Sequence, residues 1–145
     1  MKTLLSFLTC IFVITSAVSC SHNSDWDELP SPIAEFVSRY FPGQGVEDYG
    51  ETNDVYHVRL RNSAALSFNK NCSWITVNGY GGTLPEMFLF DQLPPALYEY
   101  IQRINRLKSV YSVHRDKISY SVNMLDNAVV YNIRTGRISE VTIGS

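Results

Sequence analysis

The feature that most constrains this chain is that it repeats its own apolar pattern at an offset of 64 residues. Leu29-Pro30-Ser31-Pro32-Ile33-Ala34-Glu35-Phe36-Val37 aligns with Leu93-Pro94-Pro95-Ala96-Leu97-Tyr98-Glu99-Tyr100-Ile101. The register continues through Val46/Val110, Tyr56/Tyr120, Val58/Val122, Leu60/Met124, Leu66/Val130 and Val77/Val141. Self-similarity at a fixed period is the mark of one supersecondary unit used twice. The expected units are residues 29–92 and 93–145.

Each unit is expected to open with a helix. Ile33, Phe36, Val37 and Tyr40 form an i, i+3, i+4, i+7 stripe, and Leu97, Tyr100, Ile101 and Ile104 form its counterpart. Ser31 and Pro32 suit a helix start, and Phe41-Pro42-Gly43 stops the first helix. No Pro-Gly follows the second, which is expected to run on to Leu107 or Lys108. Strands follow. Tyr56, Val58 and Leu60 alternate with polar residues, as do Tyr120, Val122 and Met124. Short apolar runs at Val46–Tyr49, Ala65–Phe68 and Trp74–Val77 complete the first set, and Val110–Val113, Ala128–Ile133 and Ile138–Ile143 the second. The expected fold is α+β, a tandem repeat of a helix plus a four-stranded antiparallel meander, with the helices packed on one sheet face. Alternation in the third strand slips by one between units (Leu66 and Phe68 against Val129, Tyr131 and Ile133), which predicts a bulge or altered packing there. Gly79-Tyr80-Gly81-Gly82 reads as the flexible joint, and Met87-Phe88-Leu89-Phe90 as a hydrophobic plug.

Residues 1–19 read as an export signal. Lys2 supplies the positive start, and Leu4–Val18 carries no charge. That run is shorter than the roughly 20 residues a membrane-crossing helix needs. Ala17-Val18-Ser19-Cys20 resembles the lipobox of bacterial lipoproteins, with Ala17 where Leu is usual, and would make Cys20 the lipidated first residue. Ala-x-Ser also suits the ordinary signal peptidase, which would cut the same bond. Acylation with more than one chain would hold the protein on a membrane. Residues 20–28 read as a polar tether. The protein is therefore expected to be exported, either periplasmic or anchored to the outer membrane.

Losing residues 1–19 removes only Lys2 among charges and moves the formal charge from −2 to −3. So mild a charge, in an exported chain, excludes nucleic acid as a partner. Of the three cysteines, Cys10 leaves with the signal and Cys20 is committed if acylated. Cys72 then stands alone and reads as a small turn or core residue.

Nothing in the sequence assembles a reaction centre. The three histidines are His22 in the tether, His57 and His114, and the last two do not match at the repeat offset. There is no Gly-x-Ser-x-Gly, His-Glu-x-x-His, phosphate-loop or paired-cysteine motif. Asn69-Lys70-Asn71 lacks the bidentate glutamate of a calcium loop, because Tyr80 stands where it would be. The expectation is a non-enzyme with no catalytic residues, metal or cofactor.

Leu-Pro-x-x-Ile/Leu-x-x-Phe/Tyr-Val/Ile, then Tyr-x-Val-x-Leu, then Phe68-Asn69-Lys70-Asn71-x-x-Trp74 resembles the PepSY-like lipoproteins of bacterial envelopes, which share the fold of the β-lactamase-inhibitor proteins. The resemblance covers residues 29 to about 141. It implies that fold and the binding or inhibition of other envelope proteins, and it carries no catalytic residue to transfer. Two positions depart from the pattern. Cys72 stands where the family has a turn glycine, and Asn105-Arg106-Leu107 where it has Tyr-Pro-Gly.

The expected binding surface is the sheet face turned away from the helices. If Tyr56, Val58 and Leu60 face inward, His57, Arg59 and Arg61 face outward, joined by Trp74 and Thr76 if Ile75 and Val77 are core. Arg and Trp dominate interface hot spots because each combines a large contact area with a directed polar group. The expected partner is an envelope protein or peptide. The competing expectation is a sensor or carrier holding a small apolar ligand between the units near Phe88 and Phe90. Charge is also uneven: residues 25–54 are mostly acidic and residues 103–117 mostly basic.

Overall fold

The computed structural model describes residues 28–143; the signal, Cys20, Trp26 and most of the tether lie outside the described residues. Helix α1 spans Ser31–Tyr40, followed by β1 (Val46–Thr52), β2 (Val55–Leu60), β3 (Ala65–Asn69) and β4 (Trp74–Asn78). Helices α2 (Glu86–Gln92) and α3 (Pro95–Arg103) come next, then a 3₁₀ turn at Leu107–Ser109. Strands β5 (Ser112–Arg115), β6 (Ser119–Asn123), β7 (Asn127–Asn132) and β8 (Ile138–Thr142) complete the order. The fold is α+β, with one eight-stranded antiparallel sheet ordered β1 to β8 and open at both rims.

All three described helices lie against one face. The α1 ring of Phe36 meets Phe68 of β3 at 5.3 Å, the α2 ring of Phe88 meets Trp74 of β4 at 5.3 Å, and the α3 hydroxyl of Tyr100 donates to Glu140 of β8. Ile33, Val37, Leu97 and Ile101 are buried, as the helical stripes predict. Beneath them runs a continuous cross-strand row, Val58, Leu66, Val77, Val113, Val122 and Val129, every member buried. Fully burying side chains of this size contributes about 1.5–3 kcal/mol each before the cost of ordering the chain.

Two differences from the sequence expectations, and one irregularity that the sequence does predict, have identifiable causes. The second amphipathic helix stops at Arg103 instead of reaching Leu107 or Lys108. Asn105 takes a left-handed φ of 59°, its N–H donates to the carbonyl of Gln102, and that of Arg106 to Ile101. This is a Schellman stop, with asparagine in place of the usual glycine. Second, the stretch expected as a plug is part of helix α2: Phe88 and Leu89 turn inward, while Met87 and Phe90 stay exposed. Third, the slipped alternation comes from connection length. Arg61–Ala64 joins β2 to β3 with one residue more than Met124–Asp126 uses between β6 and β7. The β6–β7 register itself runs without a bulge.

Helix α2 is tied to α1 and β4 within the first half through polar groups. Trp74 Nε1 donates to Gln92 at 2.9 Å, Gln92 donates to the Tyr40 hydroxyl at 2.8 Å, and Tyr40 donates to Asp91, which pairs with Arg39 at 2.9 Å.

Candidate binding face

On the sheet face opposite the helices, the ladder sets one residue from each strand in a transverse row: Gly50, His57, Ser67, Thr76, His114, Ser121, Val130 and Ser139. A parallel row carries Arg59, Ala65, Asn78, Ser112, Asn123 and Ala128. Side chains on one strand alternate between faces, so both rows point away from the helices. None of the described helices lies over them. The two rows are made mostly of small side chains, serines and asparagines interspersed with Ala65, Ala128 and Val130; Ser112 and Ala128 are buried, and charge is concentrated toward β1 and β2.

Of the five residues expected here, His57 and Arg59 are exposed on this face. Arg59 pairs with Glu47 at 3.1 Å, and both side chains are more than half exposed. Such a pair contributes at most about 1 kcal/mol and leaves the guanidinium available. Arg61 lies one residue beyond β2, in a turn, where its N–H donates to Gly45 at 2.9 Å. Its side chain covers Gly45 so closely that a Cβ there would approach Arg61 Nε at 2.9 Å. Thr76 lies in the row and its hydroxyl meets His114 Nδ1 at 2.8 Å, linking β4 to β5.

Trp74 is not on this face. A register shift opposite Ser67 and Phe68 pairs Thr76 with Ser67 but Trp74 with Phe68, so Trp74 and Val77 both point to the core. The bulge adds a residue and thereby cancels the alternation that would have turned Trp74 outward. The indole is 3% exposed and packs on Phe88 and Tyr120.

His114 was missed as a member of this surface. The repeat offset relates equivalent positions, whereas the row relates cross-strand neighbours, and β4 pairs β5 so as to set Thr76 opposite His114. The usable signal was Thr76 and His114 each near the middle of an alternating strand on either side of the joint. Neither histidine hydrogen-bonds a carboxylate, and no three metal-ligating side chains cluster, among the described residues. The place expected for an apolar ligand is filled: Phe88 is fully buried against Phe36, Tyr40 and Trp74, and Phe90 stands outside against Tyr98.

Below the row the two central strands part. The β4–β5 ladder ends at Thr76 and His114. Two residues before Thr76, the Trp74 carbonyl accepts from Arg115 Nε at 2.7 Å, and that guanidinium lies 3.9 Å from the centre of the indole ring. Backbone N–H groups of Ile118 and Ser119, at 2.7 and 2.8 Å, hold the Asp116 carboxyl below its ordinary range.

No protein-family model matches the chain, and no curated protein matches it. Solved structures do. A candidate periplasmic protein of the DUF2874 family from Bacteroides vulgatus has 21% identity and a TM-score of 0.68 over 83% of this chain and 93% of that one. A candidate calcium-regulated periplasmic protein from Bacteroides thetaiotaomicron has 18% identity and a TM-score of 0.68 over 81% and 93%. A candidate periplasmic protein of unknown function, also from Bacteroides vulgatus, has 20% identity and a TM-score of 0.62 over 78% and 93%. These likenesses establish a shared fold.

Proposed function

We propose that this protein is a non-catalytic, PepSY-like lipoprotein of the bacterial envelope that binds, and so can inhibit, a protein or peptide partner through its helix-free sheet face. The observation that carries the reading is the face itself: eight strands wide, with the described helices on one side only, and surfaced on the other mostly by small side chains around His57, Arg59, Thr76 and His114. A broad, nearly side-chain-flush sheet lets a partner's protruding loop approach closely, and Arg59 at its margin offers a directed charge. An amphipathic helix followed by four strands occurs in each half, with α2 added at the end of the first, and this order supports descent from a duplicated unit. Export is supported by the N-terminal pattern and by neighbours whose names place them in the periplasm. Mass spectrometry of the mature N-terminus tests lipidation; an unmodified Cys20 amine rules it out.

The face is tested by placing a photoreactive amino acid at Ser67 or Ser121 on the sheet, and at Ser38 or Glu99 on the exposed sides of helices α1 and α3, in the native host. Adducts to a shared partner are expected from the two sheet positions alone. Adducts of equal yield from the helix positions refute the assignment.

A further inference from the structure

The parted end of the β4–β5 seam has a chemistry that the open face does not use. It forms a cleft of about 510 Å³ whose walls include Asn69, Trp74, His114, Arg115, Lys117 and Tyr120. Arg115 is half-buried and already oriented there: stacked on the Trp74 ring, it spends only Nε on the Trp74 carbonyl. No carboxylate pairs with Arg115 or Lys117 among the described residues. The one acid in the cleft wall, Asp116, gives its Oδ1 to the backbone of its own turn. Two permanent cations therefore face a cleft with one committed anion. A guanidinium whose plane is fixed loses little freedom on binding and presents parallel N–H donors that match a carboxylate. The volume accommodates one or two residues beside that group.

We infer that this cleft is a receptor for a single carboxylate on a peptide, held by the free edge of Arg115 with Lys117 beside it and the half-buried Tyr120 beneath the neighbouring residue. The carboxylate comes from an acidic side chain or from a chain terminus. The inference stands apart from the open-face reading, because it needs neither His57 nor Arg59, and small peptides test it without the crosslinked partner.

The test is NMR titration of the full mature chain, following Arg115 Nε–H and the Trp74 indole N–H. The probes are acetyl-Gly-Glu-Gly-amide, acetyl-triglycine with a free C-terminus, acetyl-Gly-Gln-Gly-amide and inorganic phosphate. Saturable shifts are expected with one or both carboxylate peptides, the stronger of the two naming the source. The glutamine peptide is expected to give none. Arg115→Lys keeps the charge but loses the fork, and is expected to weaken binding about tenfold or more, with the buried-methyl spectrum unchanged as the check on folding. Lys117→Gln, on an exposed residue, is expected to weaken it severalfold. The inference is overturned if neither carboxylate peptide saturates, if the glutamine peptide shifts the same signals, if phosphate binds more tightly than both carboxylates, or if folded Arg115→Lys retains wild-type affinity.

Discussion

Trp74 and Thr76 show how two residues with one residue between them can be given opposite work by a bulge. Because Trp74 fills the core between Phe68, Phe88 and Tyr120, Trp74→Ala is expected to cost about 3–5 kcal/mol in chemical denaturation. Thr76→Ala, which removes only the hydroxyl that meets His114, is expected to cost about 0.5–1.5 kcal/mol. Comparable losses from the two would refute the bulged register. Cys72 occupies φ 64°, a conformation costing an L-residue roughly 1–2 kcal/mol, so Cys72→Gly is expected to raise stability by about 1 kcal/mol. The glycine that the family resemblance implies at this position was thus a legible clue to the turn, whereas the slipped alternation of the third strand pointed to an irregularity without showing that it turns Trp74 inward. Asp116 supplies the pH prediction. Its folded-state value is depressed by the Ile118 and Ser119 N–H groups. Its contribution is therefore complete above the ordinary aspartate range and is lost only as pH falls through the lower folded value. The amide shifts of Ile118 and Ser119 should titrate together with a midpoint below that of an unstructured aspartate. A midpoint at or above it would refute the turn geometry.

At the scale of elements, periodicity and chain stops account for most of what could be read in advance. The stripes of α1 and α3 and the inward residues of β2 and β6 follow directly from spacing, because burial rewards that spacing wherever an element meets a core. Helix α2 did not emerge, since seven residues with apolar groups at consecutive positions carry too few turns to display a period. The early stop of α3 was hidden for another reason: asparagine tolerates the left-handed bend without the Pro-Gly that usually announces it. Replacing Asn105 tests that stop. Asn105→Gly is expected to be neutral or mildly stabilising, and Asn105→Val to destabilise by about 1–2 kcal/mol. A helix that lengthened in Asn105→Ala, seen as protected amides at Arg106 and Leu107, would contradict it.

The molecule as a whole is held together at its middle by two independent means. Three residue pairs zip β4 to β5, and Arg115 and Tyr120 of the second half pack on Trp74 of the first. Residues 29–92 and 93–145 expressed separately are therefore expected to be unfolded, and the intact domain to unfold in one transition with equal global protection of β3 and β7 amides in hydrogen exchange. Separate transitions would show the halves to be autonomous. The candidate binding face was legible only in outline. Which face is bare follows from alternation, but the row joining His57 to His114 depends on how eight strands are staggered, and stagger is decided by loop lengths and bulges. Among the described residues that same sheet never closes on itself, so β1 and β8 each leave one line of backbone groups without a described strand beside it. Asp48 and Glu51 stand along one rim and Glu140 along the other. Were one molecule to add its last strand to the next molecule's first, negative charges would meet at every joint, and fibrous growth along the sheet is held off by its own borders.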